Sequence, residues 1–291
     1  MGSFFSRGIR KRKEGLAMSM SVRMGLFCLL GGLCFTISAM GAGHFGWWYL
    51  SGVLTAAALV PVVRYGPRGT IAQGATMFVM LVLIGLVCTL SEGVVFFPEK
   101  KAQMMAGLAG GSVLYLIAAV VLTVLAKLLK LQDGQKLAIE RRSLGMAIPM
   151  ILLAAFSYLV YYEIFGALTY QFFTKGYYPH AVEQVAAMGA WFFVYQIARG
   201  LVMTLAVLPV IYTLRLPRMQ AALIVGLLVW VIGGAAPLLV PNEMMTSVQR
   251  FIHVGEIFTQ NFLLGMTATF LIRPRKTATT VAPMHSAAVT R

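Results

Sequence analysis

Long apolar runs dominate the sequence, and several of them extend for 18 or more residues. A run of that length is sufficient for a helix to cross the hydrocarbon layer of a bilayer. Hydrophobic residues make up 59% of the chain and charged residues only 11%, which is more apolar surface than a soluble domain of this size can bury. The runs lack the alternation of membrane strands, so the sequence predicts an all-α, polytopic transmembrane helix bundle.

Eight spans are predicted, in two groups of four. The first span can also be interpreted as a cleaved secretory signal, because small residues at 38–42 lie at its end. The approximate spans are 24–42, 47–63, 71–97, 104–129, 144–172, 187–213, 221–239 and 252–272. The predicted segments are a basic cytoplasmic tail at 1–20, spans one to four in 21–130, a cytoplasmic connection at 131–143, spans five to eight in 144–273, and a disordered cytoplasmic tail at 274–291.

The net charge of +15 would suit a nucleic-acid-binding protein, but the distribution of the basic residues indicates another origin. All but five of the 24 Lys and Arg residues fall in the two tails or in alternate connections between apolar runs. This asymmetry is the positive-inside pattern, which predicts that both termini are cytoplasmic. We therefore expect the lipid bilayer, and no nucleic acid, as a partner. The five exceptions are Lys100, Lys101, Lys175, Arg199 and Arg250.

A weak internal repeat relates the two halves of the chain at an offset near 148 residues. Residues 54–68 and 203–218 share a proline inside the apolar run, Pro61 or Pro209, and a closing Pro–Arg pair. Four spans per unit would give both halves the same orientation, a 4+4 parallel repeat. Two spans joined by a Pro–Arg turn can also look alike by chance, and this alternative stays open.

Polar side chains enter three spans at a similar predicted depth. Counting about 1.5 Å per residue from the cytoplasmic boundary puts Arg199 at about 24 Å, Glu256 at about 25 Å and Glu163 at about 31 Å. The hydrocarbon core is about 30 Å thick, so these groups approach its outer edge. The same count places Glu92 higher still, at about 36 Å.

Each of these three groups has polar neighbours on its own helix: Tyr195 beside Arg199, His253 and Gln260 beside Glu256, and Tyr170 beside Glu163. Because ionisable side chains are costly in lipid, we expect an outward-facing polar cavity between spans five, six and eight. Within it, Arg199 would pair with Glu163 or Glu256. The structural alternative is that a buried Arg–Glu pair only fixes the packing of the helices.

The residue pattern gives little support to a metal or a cofactor. His253 and Glu256 at i and i+3 could ligate a metal ion, but no second such pair is placed to join them. His44 and His180 would have to converge from loops, and two facing histidines holding a haem have no further support. No Walker loop, GxSxG or HExxH motif is present. We expect neither a metal nor a cofactor.

The region of the last connection and last span contains Pro241-Asn242-Glu243-Met244-Met245, Val248-Gln249-Arg250, His253-Val254-Gly255-Glu256 and Gln260-Asn261-Phe262-Leu263-Leu264-Gly265. These residues resemble the C-terminal signature of a family of bacterial multi-pass membrane proteins of uncharacterised activity. The resemblance implies a location in the bacterial cytoplasmic membrane. It implies no reaction and no substrate.

The leading hypothesis is a non-enzymatic inner-membrane protein that binds or passes a small solute or a proton through the outer cavity. Arg199 would hold an anionic group or act as a counter-ion. Glu256 and Glu163 would exchange protons, and His253 would control access. A transporter predicts a cavity that extends past Gln260.

Two further hypotheses stay open. One is an intramembrane lipid- or envelope-modifying enzyme that uses His253 and Glu256 as acid and base. The other is an accessory subunit that docks a membrane-protein partner and has no cavity.

Overall fold

The computed structural model describes residues 18–40, 43–133 and 142–274. Within these ranges the chain is helical apart from short connections, and the one bridge between extended residues joins Asn242 to Met245. The predicted all-α class is therefore confirmed. The predictions made for the basic tail up to residue 17, for the tail from 275 onward and for the middle of the polar connection lie outside the described residues.

The helices of the described residues are numbered α1 to α9 along the chain. They are α1, Met20–Leu33, continued by a 3-10 segment at Cys34–Met40; α2, Phe45–Tyr65; α3, Thr70–Phe96, with a π-helical turn at Leu83–Cys88; α4, Lys101–Leu128, preceded by a 3-10 turn at Pro98–Lys100; α5, Leu144–Thr169, followed by a π-helical turn at Tyr170–Thr174; the short α6, Ala181–Met188; α7, Ala190–Thr213; α8, Arg218–Leu239, with a π-helical turn at Val231–Ala235; and α9, Ser247–Ile272.

Seven helices in the described part of the chain are long and apolar enough to cross a membrane. They are α1 to α5, α7 and α8, some with their 3-10 or π-helical extensions. Helix α9 is 26 residues long, but polar side chains in its first half set it apart from the other seven. The short helix α6 was not predicted as a separate helix, since its first six residues lie in a stretch interpreted as a loop.

Alternate connections meet at one end of the bundle, which we call the basic end: residues 64–68, 129–133, 214–218 and 273. The Arg215 backbone N–H donates to the Tyr65 carbonyl at 2.9 Å. The Arg215 guanidinium donates to the carbonyls of Arg64 at 3.2 Å and Asp133 at 3.0 Å. These bonds satisfy carbonyls where helices end, so the arginines of this end also fix how the connections pack.

Helices α7 and α8 bury the largest shares of their length and form the centre of the bundle. Helix α7 crosses α5 at Gly200, where an added Cβ would lie 2.6 Å from the Ala155 carbonyl oxygen. Helix α2 crosses α1 at Gly52 in the same way, with the Gly32 carbonyl oxygen at 2.6 Å. Only glycine permits backbones to approach this closely.

The π-helical turns of α3 and α8 touch each other in a reciprocal manner. A Cβ on Gly85 would lie 3.1 Å from Ile232 Cγ2, and a Cβ on Gly233 would lie 2.9 Å from Ile84 Cγ2. Gly85 and Gly233 are 148 residues apart, and so are Ile84 and Ile232. A contact that exchanges equivalent residues in this way is the pattern of a two-fold relation.

The same offset of 148 residues recurs in two further residue pairs and in one pair of contacts. It separates Gly52 from Gly200, the two crossing glycines, and Pro61 from Pro209, the two prolines inside helices. It also relates two contacts between the halves: Ser51 Oγ donates to the Ala236 carbonyl at 2.7 Å, and Cys88 Sγ lies 4.0 Å from the Arg199 carbonyl. Several residues 148 positions apart therefore make comparable contacts in the described structure.

Candidate functional site

A cavity of about 1030 Å³ lies at the end of the bundle opposite the basic end. Its walls come mainly from α3, α5, α8 and α9, and residues of the segment from 177 to 185 and Phe192 of α7 also line it. Apolar and aromatic side chains form most of the wall. The ionisable groups that line it, besides tyrosines, are Glu92, Glu99, Glu163, His180, His253 and Glu256.

Helix α9 presents three polar side chains to this cavity in one stripe. His253 Nδ1 lies 2.7 Å from Glu256 Oε2, and Gln260 Nε2 donates to Glu256 Oε1 at 3.1 Å. The spacings i, i+3 and i+7 place the three groups on one face, which is why they meet. Both oxygens of the carboxylate are thus held, and Glu256 has a fixed orientation.

Tyr178 completes this cluster from the segment after α5. Its hydroxyl lies 3.3 Å from His253 Nε2, and the two rings are 5.8 Å apart between centroids. Partial burial and the negative charge of Glu256 raise the pKa of Tyr178, so its hydroxyl stays protonated at neutral pH. It can therefore donate to Nε2, while Nδ1–H donates to Glu256.

Gly166 on α5 makes room for the Glu256 carboxylate. A Cβ at this position would lie 3.5 Å from Glu256 Oε1 and 3.8 Å from Gln260 Nε2. Glu163 and Tyr170 line the cavity on either side of Gly166 along α5. Among the described residues, the exposed carboxylate of Glu163 has no hydrogen-bond or ion-pair partner.

Arg199 pairs with Glu92, and the predicted pairing with Glu163 or Glu256 is wrong. Its Nη2 donates to Glu92 Oε2 at 2.5 Å, and the Tyr162 hydroxyl donates to Glu92 Oε1 at 3.2 Å. The Arg199 side chain is 4% exposed and does not line the cavity. Glu92 stands between it and the open space, so the expected role of Arg199 in holding an anion has no geometric basis.

The depth count failed for two physical reasons. The backbone of Arg199 lies level with Cys88, whose thiol meets its carbonyl, and the long arginine side chain reaches a further turn along α3 to Glu92. The π-helical turn at Leu83–Cys88 also breaks the uniform rise that the count assumed. The count compared Cα positions only, so it placed Arg199 and Glu92 at different depths although their side chains form an ion pair.

Five of the seven predicted site residues line the cavity and two do not. Tyr195 lies beside the ion pair, with its hydroxyl 3.0 Å from Ser91 Oγ. Sequence reasoning missed Glu92, Tyr162 and Tyr178 as site residues. Glu92 was detectable as a carboxylate within an apolar span, whereas the two tyrosines gave no signal that distinguished them. The five residues in the cavity are Glu163, Tyr170, His253, Glu256 and Gln260.

Several buried polar atoms of Arg199, Gln196 and Tyr158 lack hydrogen-bond partners in the described structure. Among the described residues, Nε and Nη1 of Arg199 have no hydrogen-bond partner, and neither do the two amide atoms of Gln196 or the Tyr158 hydroxyl. The guanidinium carbon lies 5.6 Å from the Tyr158 ring centroid and 6.0 Å from that of Tyr162. Cation–π attraction therefore supplements the single ion pair that holds this charge.

In the described residues, no three His, Cys, Asp or Glu side chains lie close enough together to hold a metal ion. Comparison of the chain with protein-family models, with curated proteins and with solved structures gives no match.

Proposed function

We propose that this chain is an eight-span protein of the bacterial cytoplasmic membrane that binds a small solute in the cavity. Helix α9 would be the eighth span. It runs antiparallel to α8, and the bond from Arg273 Nη2 to the Leu216 carbonyl, at 2.7 Å, ties its end to the basic end. At about 1.5 Å per residue its 26 residues measure about 39 Å, which exceeds the hydrocarbon thickness.

Both termini would be cytoplasmic, and the two halves would be a 4+4 parallel repeat. The charge asymmetry supports the first statement, because the basic end would then face the cytoplasm. The reciprocal contact of Gly85 with Ile232 and of Gly233 with Ile84 supports the second. The cavity would then open toward the outer side of the membrane.

One observation carries the solute-binding proposal: ionisable side chains from three helices converge in a large apolar cleft. Glu92 on α3, Glu163 on α5 and Glu256 on α9 reach the same open space. Such groups are expensive inside a membrane and mark substrate or proton pathways. A concave, mainly apolar pocket with few polar groups is also the usual form of a ligand site. An accessory subunit without a cavity is correspondingly disfavoured.

Binding is better supported than passage. Along α9 the lining ends at Gln260, and the next buried side chains toward the basic end, Asn261 and Leu264, belong to the packed interior. The cavity thus stops short of the position that the transport hypothesis required. Movement of a solute across the membrane would need a second conformation in which this packing opens.

Cysteine labelling tests the proposal. In a chain whose half-buried Cys28 and Cys34 are changed to alanine, Tyr170→Cys should react rapidly with a charged, water-soluble thiol reagent. The matched control is Leu153→Cys on the same helix, whose side chain is exposed on the apolar outer surface and should be covered by lipid. Equal, slow reaction at both positions would refute a solute-accessible cavity.

A second candidate function rests on the His253–Glu256 pair. A histidine oriented by a carboxylate, with its other nitrogen facing an open cavity, has the geometry of a general acid–base group. An enzyme that modifies lipid or envelope components would use it in this way. His253→Gln would then abolish turnover while retaining substrate binding, whereas a binding protein has no turnover to lose.

A further inference from the structure

The lining of the cavity is rich in acid and contains no fixed positive charge. Four glutamates face it, and among the described residues that line it there is no lysine or arginine. Arg199 offsets the charge of Glu92, and His253 contacts Glu256. The Glu163 and Glu99 carboxylates remain without a partner in the described part of the chain. The cavity therefore carries negative charge that the described lining residues do not fully compensate.

Nearby basic side chains do not change this balance. Lys100 lies 3.7 Å from Glu243 at the rim. The buried Arg250 guanidinium donates to the Met245 carbonyl and to Ser247 Oγ, each at 3.3 Å, and Arg250 is not itself a lining residue. Lys175 is exposed and is not part of the wall. An anion entering the cavity would thus meet carboxylates without a counter-charge.

Aromatic rings line the same space. Tyr162, Tyr170, Tyr177, Tyr178, Phe97 and Phe192 all contribute to the wall. The face of an aromatic ring attracts a cation, and the attraction strengthens when water is excluded. The size of the space, about 1030 Å³, is at the upper limit of small-molecule pockets and far exceeds what a bare metal ion occupies.

We propose that the cavity binds an organic cation, a protonated amine attached to an apolar body. This inference rests on the proposed solute-binding function and specifies its ligand class. The amine would lie in the part of the cavity lined by Glu163, Gly166 and Glu256, where the Cβ position of Gly166 is 3.5 Å from Glu256 Oε1. The apolar body would lie against the tyrosine and phenylalanine rings.

A charge series of one molecular shape tests this directly. Benzylamine is a cation at neutral pH, benzyl alcohol is neutral and benzoate is an anion, and the three have similar size. Calorimetric titration of the full chain in detergent should give benzylamine an affinity at least about tenfold higher than that of benzyl alcohol, with no detectable benzoate binding. Glu163→Gln should remove most of the difference between benzylamine and benzyl alcohol.

The control variant is Glu183→Gln, which removes an exposed carboxylate from α6 that does not line the cavity. Its benzylamine affinity should be unchanged. Preference for benzoate, or equal affinities that Glu163→Gln leaves unaltered, would overturn the cation assignment while the solute-binding proposal stands. Failure of benzylamine to bind would also overturn it. If Tyr170→Cys is unreactive as well, the proposed function fails with it.

Discussion

Arg199 and Glu92 form an ion pair that joins α7 to α3 directly beneath the cavity. The two ends of the pair are in different environments, because the Arg199 side chain is 4% exposed and the Glu92 side chain is 26% exposed. The cation is enclosed by protein, while its partner faces the open space. The pair therefore forms part of the cavity floor and also holds the helices together.

This asymmetry predicts unequal effects of removing each partner. Glu92→Gln leaves the buried Arg199 charge uncompensated and should destabilise the protein by about 3–5 kcal/mol. Arg199→Met leaves a carboxylate that water in the cavity can solvate, so it should cost less. Thermal unfolding in detergent would measure both variants. A larger loss for Arg199→Met would contradict the placement of Glu92 at the cavity surface.

Gly166 predicts a steric test of the cavity. Gly166→Ala should leave the unfolding midpoint within a few degrees of the parent, because the added Cβ makes ordinary contacts at 3.5 Å and 3.8 Å. Gly166→Leu would fill the space in front of Glu256 and should reduce benzylamine affinity about tenfold or more. Gly200→Ala is the contrasting variant, since its Cβ would meet the Ala155 carbonyl at 2.6 Å and should destabilise the fold. Unchanged affinity in Gly166→Leu would place the ligand elsewhere.

Glu256→Gln separates a binding role from a packing role. The amide is close in size to the carboxylate and can still bond to Gln260, so folding should be retained. The loss of charge beside His253 should lower benzylamine affinity about tenfold or more. Glu243→Gln, on the exposed rim, serves as the control and should leave the affinity unchanged. A Glu256→Gln variant that only unfolds would show that this group serves helix packing alone.

The crossing of the two π-helical turns predicts energetic coupling between the halves. Gly85→Ala and Gly233→Ala each add a methyl group at under 3.2 Å from an isoleucine of the other turn, and each should cost about 1–3 kcal/mol. Both added methyl groups crowd the same contact between the two turns. The loss of unfolding free energy in the double variant should therefore differ from the sum of the two single losses. Gly110→Ala on α4 is the control, as no atom lies within 4 Å of its Cβ position. Strictly additive effects would argue against a shared contact.

The long helices were predictable from the sequence, and their side-chain partners were not. Arginine and proline at 64–68 and 215–218 marked the ends of α2 and α7 closely, since apolar length and charge depend on local composition. The choice of Glu92 over Glu163 by Arg199 depends on helix rotation and on the reach of the side chain. Neither follows from counting residues.

The polar stripe on α9 was predictable only in part. Its spacing alone predicts that His253, Glu256 and Gln260 share a face, because the helix fixes that geometry locally. Nothing in the spacing predicts that Tyr178 comes from another segment to meet His253 Nε2. The π-helical turns are likewise invisible to a periodicity of 3.6 residues, although one of them supplies Gly233 and Gly234 to the cavity wall.

Under the proposed 4+4 repeat, Ser51 and Arg199 would occupy matching places in the two halves, yet one is a small hydroxyl and the other a charged group. A homodimer of identical subunits would be forced to bury the arginine twice and to find two acids for it. In one chain that carries both proposed halves, this requirement does not arise. One half can keep a small packing residue such as Ser51, while the other carries a buried charge such as Arg199 that would be destabilising if it occurred in both halves.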